Sequence, residues 1–245
     1  MNLTQQTILI TGATSGIGLH LALKLLARGN QVIICGRRQE KLADLAAQHP
    51  GLITYPCDVS DETQRAQLAA WVVAACPRLN IVINNAGLMQ LYDLTQPLDA
   101  RKATAEVATN LLAPMHLGSL LVAHLQQQPT AAIVNVTSGL AFTPLAQVPV
   151  YCATKAALHA FCLSLRYQLR HTSVKVFEII PPAVDTNLGH EDGYDRSQDQ
   201  AMEVNLFTDH FLRVLEHDQY EVGIGGAENL RQQRDALFNT INPAG

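Results

Sequence analysis

Short apolar runs alternate along this chain with longer stretches in which apolar positions recur at helical spacing. Thr7–Ile10, Gln31–Cys35, Leu52–Pro56, Leu79–Ile83, Ala131–Thr137 and Val174–Ile180 are brief and mostly apolar, which predicts buried strands. Helices are predicted between them over Ile17–Arg28, Gln39–His49, Asp61–Ala75, Ala103–Gln126 and Tyr151–Arg170, the fourth disturbed at Pro114. Strands alternating with helices imply βαβ units, and right-handed crossovers turn these into a parallel sheet covered on both faces. The expected fold class is therefore α/β, doubly wound. Tyr220–Ile224 adds an expected edge strand and Glu228–Thr240 a terminal helix. No linker-like Gly/Ser or Pro-rich break interrupts the alternation, so residues 1–245 are expected to form one domain. Leu188–Asn205, rich in Asp, Glu, Gln and Gly, is the odd region, and a substrate flap or short helices are expected at about 187–205.

Composition narrows the class. Hydrophobic residues make up 48% of 245 and charged residues 16%, enough for a sizeable core, and the net charge of −4 gives no reason to expect nucleic acid or an acidic membrane surface as partner. No apolar run reaches the ~18 residues of a spanning helix. The N-terminal Met1–Gln6 lacks a secretory pattern, so a cytoplasmic protein is expected. The five cysteines form an odd set without Cys-x-x-Cys, which reads as buried thiols in a reducing compartment. None of the nine histidines has metal-ligand spacing, and His190-Glu191-Asp192 reads as a solvated turn, so no metal is expected.

Two motifs carry chemistry. The first strand runs into Thr11-Gly12-Ala13-Thr14-Ser15-Gly16-Ile17-Gly18 and then into a helix. Glycines at a strand-to-helix junction let the backbone turn tightly and let a pyrophosphate approach the helix's free N–H groups. The second is Ser138 after a strand, followed by Tyr151-x-x-x-Lys155. Tyr151 and Lys155 stand one helical turn apart on one face. An ammonium beside a phenol lowers a pKa that is otherwise near ~10, which suits Tyr151 to acid–base work. Ser138 can donate a hydrogen bond to a carbonyl oxygen. Cys152 faces another side of the helix by its ~100° step and is not expected to act.

These segments, with Asp58-Val59, Asn84-Asn85-Ala86-Gly87, Asn110 and Pro181–Thr186, run in the order of the short-chain dehydrogenase/reductase family, which the chain resembles from residue 7 to about 186. More narrowly, Pro181-Pro182-x-Val184-Asp185-Thr186 and the Phe238-Asn239-x-Ile-Asn-Pro tail resemble the oxidoreductase branch related to a protein associated with teichoic-acid D-alanylation. The resemblance implies a single Rossmann-like domain and hydride exchange between a nicotinamide cofactor and a carbonyl or alcohol. It implies Ser138, Tyr151, Lys155 and Asn110 as the catalytic set, Asn110 bending its helix around a water on the proton path. It implies a cofactor held by Gly12, Thr14, Ser15, Gly16, Ile17 and Gly18, by Asn85, Ala86 and Gly87, and by Tyr151 and Lys155. Asp58 and Val59 are placed at the adenine, and Pro181, Val184 and Thr186 at the nicotinamide, although Asp58 also suits a plain turn. Pro182 replaces the family's usual glycine.

Cofactor choice rests on Gly36-Arg37-Arg38. A carboxylate after the second strand would bind ribose hydroxyls, whereas arginine suits a 2′-phosphate, so NADP(H) is preferred over NAD(H), with Arg37 as the contact and Arg38 as helper. Leu88, Leu140, Phe142, Leu145, Val148, Pro182 and Leu188 are the expected pocket residues, suited to a small or medium, mostly apolar substrate. The helix Tyr151–Arg170 is apolar nearly all round, and a homodimer or homotetramer would cover the surplus. Two other readings stay open: a catalytically silent NADP(H)-binding sensor or scaffold, and a nucleotide-sugar epimerase or dehydratase, for which the stretch after Thr186 is short.

Overall fold

The computed structural model describes residues 1–189, 193–194 and 201–243. β1 (Thr7–Thr11), β2 (Gln31–Gly36), β3 (Leu52–Pro56), β4 (Leu79–Asn84), β5 (Ala131–Val136), β6 (Val174–Ile180) and β7 (Glu221–Gly223) form one parallel sheet in the order β3-β2-β1-β4-β5-β6-β7. The chain winds outward from β1 in one direction and from β4 in the other. The switch between them opens a crevice at the carboxyl ends of the strands. This is the Rossmann-like doubly wound fold expected from the alternation.

The helices are α1 (Gly16–Ala27), α2 (Gln39–Gln48), α3 (Glu62–Ala75), α4 (Ala100–Val107), α5 (Ala113–Leu125), α6 (Pro149–Gln168), α7 (Val204–Glu216), α8 (Gly226–Gln233) and α9 (Phe238–Ile241). Strand side chains alternate between two cores. Ile8 and Ile10 join Leu21, Leu25, Phe177, Phe207 and Phe211 on one face, whereas Leu9 joins Leu68, Val72, Val82, Leu117 and Leu121 on the other. Asp61 caps α3 by accepting from the Gln64 N–H, and Asp99 caps α4 by accepting from Arg101 and Lys102. That second cap starts the helix at Ala100, ahead of the expected Ala103.

Three elements depart from expectation. The long helix from α4 to α5 is disturbed as expected, but ahead of Pro114 rather than at it. It widens into a π turn over Ala108–Leu112, in which the Ala113 N–H reaches back to the Ala108 carbonyl just before Pro114. The expected terminal helix Glu228–Thr240 is α8, a 3-10 turn (Arg234–Leu237) and α9, with Arg234 at φ +50° at the break. The helix α7 lies beyond the polar stretch and was not expected. Glu203 caps it through Asn205 and Leu206 N–H, and Phe207, Phe211 and Leu215 bury one face. Of the expected flap, residues 190–192 and 195–200 lie outside the described ones, and the solvated-turn reading of His190-Glu191-Asp192 falls there. The Met202 strand bridge to Val184 and the start of α7 occupy its far end. No described helix is long and apolar enough to cross a membrane.

Candidate active site

The glycine loop leaves β1 in a form only glycine suits. Gly12 and Gly16 have φ of +64° and +55°, and a Cβ on Gly12 would stand 2.6 Å from the Ala86 Cα. Gly18 is packed as tightly, its Cβ position lying 2.6 Å from Asn85 Nδ2. The loops after β1 and β4 are tied together. Thr11 Oγ1 accepts from the Asn85 and Ala86 N–H groups at 3.0 and 3.1 Å, and Asn85 Nδ2 donates to the Thr11 carbonyl at 2.9 Å. Thr11 was not expected as a site residue; its place at the strand end, directly before the first glycine, was the available signal.

Between these loops lies a cleft of about 340 Å³ at the crevice. Its walls include Gly12, Thr14, Ser15, Gly16 and Ile17 from the first loop, and Asn85, Ala86 and Gly87 from the second. Val59, Tyr151, Lys155, Pro181 and Thr186 complete much of the rest. Gly18 and Val184 are buried behind that surface, Val184 in the core against α7. A pyrophosphate needs close approach to backbone N–H groups at a helix N-terminus, and Gly12 and Gly16 leave that wall free of side chains.

One end of the cleft is cationic. Arg37 and Arg38 are exposed there, and Arg38 donates to Thr14 Oγ1 at 2.7 Å and Ser15 Oγ at 3.0 Å, so it is tethered to the glycine loop. Lys41, in the first turn of α2, also lines this end. It was missed in the sequence, although its helical spacing from Arg37 and Arg38 was visible. Asp58 lines the cleft too, with Oδ1 accepting from Ser60 N–H and Oγ at 2.9 and 2.7 Å. That oxygen serves the turn, as a turn-forming aspartate would.

Tyr151 and Lys155 project from one face of α6 into the other end, 5% and 4% exposed. Lys155 Nζ lies 5.6 Å from the Tyr151 ring centre and donates to the Val136 carbonyl at 2.8 Å. Burial pushes Lys155 down to about 8, partly opposed by the negative groups around it. Ser138 heads a 3-10 turn (Gly139–Ala141), and its Oγ accepts from the Leu140 N–H at 3.1 Å. With its lone pair so engaged, its O–H is left to donate. Asn110 sits in the π turn, where its side chain accepts from Leu88 N–H, donates to Leu88 C=O, both at 2.8 Å, and donates to Thr154 Oγ1 at 3.1 Å. Gly87 joins these groups, since a Cβ there would lie 3.5 Å from Asn110 Oδ1 and 3.9 Å from Lys155 Nζ.

Tyr151 packs in an apolar cluster with Met89, Leu91, Leu140, Leu145, Leu188 and Tyr194, and Leu88 lines the cleft. Of the seven expected pocket residues, Leu88 and Leu188 line the cleft, Leu140 and Leu145 pack in the cluster around Tyr151, and Phe142, Val148 and Pro182 lie elsewhere. Phe142 packs edge-on against His159, ring centres 4.6 Å apart, because the 3-10 turn carries it away toward α8. Val148 is fully buried beneath the cluster. Pro182 is half-buried, its Cγ 4.0 Å from the Cβ position of Gly225. All five cysteines are buried and free, and Cys152 accepts from the Leu145 N–H through Sγ.

Comparison with known proteins agrees with this geometry. The profile of the short chain dehydrogenases matches residues 6–197. The chain is 44% identical to an uncharacterized oxidoreductase, DltE, of Bacillus subtilis (strain 168), covering 99% of this chain and 98% of that one. Among solved structures, a short-chain dehydrogenase from Sphingobium yanoikuyae in complex with NADPH superposes with a TM-score of 0.83 at 27% identity, over 89% of this chain and 87% of that one. One from Burkholderia cenocepacia in complex with NADP gives 0.82 at 26% identity, over 95% and 94%. The chain belongs to the short-chain dehydrogenase/reductase family and is an oxidoreductase.

Proposed function

We propose that this protein interconverts a small or medium, mostly apolar ketone or aldehyde and the corresponding alcohol, with NADP(H) as cofactor. The observation that carries this reading is the buried Tyr151–Lys155 face of α6 opening into the same cleft as the glycine loop. The nicotinamide, when bound, supplies or accepts the hydride. Tyr151 passes its phenolic proton to the carbonyl oxygen in reduction and takes it back in oxidation. Ser138 donates a hydrogen bond to that oxygen, and stabilising its developing charge is worth a few kcal/mol. Lys155 favours the phenolate and orients the cofactor's ribose. Asn110 anchors a proton path through the widened helix, where its carbonyl has lost the Pro114 donor.

Arg37, Arg38 and Lys41 favour NADP(H), since three cations at the adenosine end would meet a 2′-phosphate. Met89, Leu91, Leu140, Leu145 and Leu188 around Tyr151 favour an apolar substrate. The outward stripe Ala153, Ala156, Ala160, Leu163 and Tyr167 on α6 favours association of two copies through that helix. The whole chain is read as one domain in a cytoplasmic enzyme. A panel of aliphatic and aromatic carbonyls assayed with NADPH and NADH side by side tests the reading. NADPH-dependent turnover of apolar members supports it, and no turnover with either cofactor rejects it.

A further inference from the structure

A buried carboxylate lies directly behind the catalytic segment. Glu178 on β6 is 0% exposed, and both its oxygens are engaged. Oε1 accepts from Thr137 Oγ1 at 2.8 Å and Oε2 meets His159 Nδ1 at 2.8 Å. His159 stands one turn beyond Lys155, which stands one turn beyond Tyr151, so all three share a face of α6.

Lys155 and Glu178 hold one stretch of chain at consecutive residues. Val136 gives its carbonyl to Lys155 Nζ, Thr137 gives its hydroxyl to Glu178, and Ser138 caps the 3-10 turn that follows. Four residues on, Phe142 ends the turn that Ser138 begins and rests edge-on against His159. Backbone bonds from Thr137 N–H to the Ile179 carbonyl and from Gly139 N–H to the Pro181 carbonyl continue the same docking past the strand end. The segment thus lines the cleft at 136 and 137, carries Ser138, and touches the Glu178–His159 pair at 137 and 142.

We infer that Glu178 and His159 are positioning residues for the catalytic step, fixing Val136–Phe142 so that Ser138 and Lys155 keep their places around the reacting oxygen. This rests on the assignment of Ser138, Tyr151 and Lys155 to the chemistry. Only about 1 Å of slack in such a constellation is enough to cost about a hundredfold in rate. The same site does not suit a metal ion, although His159, Glu178 and Glu221 have ligating atoms within 4.8 Å of one another. Glu221 is already bridged to Arg166 at 3.3 Å and Arg231 at 3.1 Å, and Arg234 adds a further cation facing His159.

The groups facing the pair are Glu221 on β7, Arg166, Lys155 and Cys162 on α6, Arg231 on α8 and Arg234 in the turn beyond it. These groups are mostly cationic and offset the Glu178 charge, so the contribution assigned to the pair is geometric. Glu178→Gln can still accept from Thr137, whereas Glu178→Ala and Thr137→Val remove that bond from either side. Steady-state kinetics with NADPH and one reporter carbonyl, beside Tyr151→Phe, distinguish the outcomes. Glu178→Ala and Thr137→Val are expected to lower kcat about tenfold to a hundredfold, Glu178→Ala with NADPH affinity nearly unchanged, and Glu178→Gln to recover much of the loss. If either variant keeps wild-type kcat while Tyr151→Phe is inactive, the positioning role is overturned and the catalytic assignment stands. If Tyr151→Phe stays active, or wild type turns nothing over, the catalytic assignment fails, and the titration of the Lys155 ammonium followed by nitrogen NMR decides the positioning role. A lower midpoint in Glu178→Ala than in Glu178→Gln supports it, and identical midpoints overturn it.

Discussion

Asn110 holds the backbone of Leu88 from both sides: its Oδ1 accepts the Leu88 N–H and its Nδ2 donates to the Leu88 carbonyl, each at 2.8 Å. Through Leu88 the π turn is fixed to the loop after β4, beside the proposed reaction centre. Asn110→Ala leaves both backbone groups without these partners, and an unmade bond at a partly buried group costs about 1 kcal/mol or more. Chemical denaturation is expected to show a loss of about 2 kcal/mol, with turnover falling more than cofactor affinity. Full stability in this variant would contradict the clamp.

Lys155 is the second test. At neutral pH its charge is held in a site that favours the neutral form, since burial has pushed it down from 10.5 to about 8. Between about 8 and 10.5 the unfolded lysine binds a proton that the folded one has lost, so this group adds stability as pH rises through that window. Lys155→Met removes the buried charge but strands the Val136 carbonyl. The balance is a gain of about 1–2 kcal/mol at neutral pH, no rise across the alkaline window, and no turnover. Denaturation curves across pH, paired with activity, check all three.

His159 works in the opposite sense. Its hydrogen bond to Glu178 raises it above the ordinary 6.5. Its contribution to stability is therefore complete below about 6.5 and is lost as pH climbs through the raised value. His159→Gln should flatten the stability profile on that flank. A profile with the wild-type slope there would remove His159 as its source.

Two glycines with positive φ separate conformational strain from a cofactor cradle. Gly29, at φ +77°, has nothing within 4 Å of a Cβ position, whereas Gly12 has the Ala86 backbone at 2.6 Å. Gly29→Ala should cost about 1 kcal/mol and leave NADPH affinity alone. Gly12→Ala should cost about 2–4 kcal/mol and weaken NADPH binding. Equal effects on binding, read by isothermal titration, would count against the cradle.

At the adenosine end, Arg37→Ala should raise the NADPH KM by about tenfold, the worth of one charge-assisted contact, and leave the NADH KM nearly unchanged. Lys41→Ala should do the same to a smaller degree. If both variants shift the two cofactors alike, the cations do not read the phosphate.

Much of the fold was legible because burial on both faces makes a parallel strand a continuous apolar run, as in Ile8-Leu9-Ile10 or Val174–Ile180. The fold also predicted where those strands end, which placed Gly12, Asn85 and Thr186 around one crevice. The stripe Phe207–Phe211–Leu215 has helical spacing and was legible in principle, but it follows the polar stretch that drew the reading of a flap. What depended on tertiary contact was not legible. Phe142 resembled a pocket residue until its turn aimed it at His159. Glu178 lay unmarked inside an apolar strand, since its partners Thr137 and His159 are distant in sequence and meet it only through β5–β6 pairing and α6.

The most direct measurement pairs turnover with cofactor binding in Tyr151→Phe, which deletes one oxygen and little else. NADPH affinity close to that of wild type, together with loss of carbonyl-dependent NADPH oxidation, is the expected result. Wild-type oxidation rates in that variant would contradict the assignment of proton transfer to the Tyr151 hydroxyl.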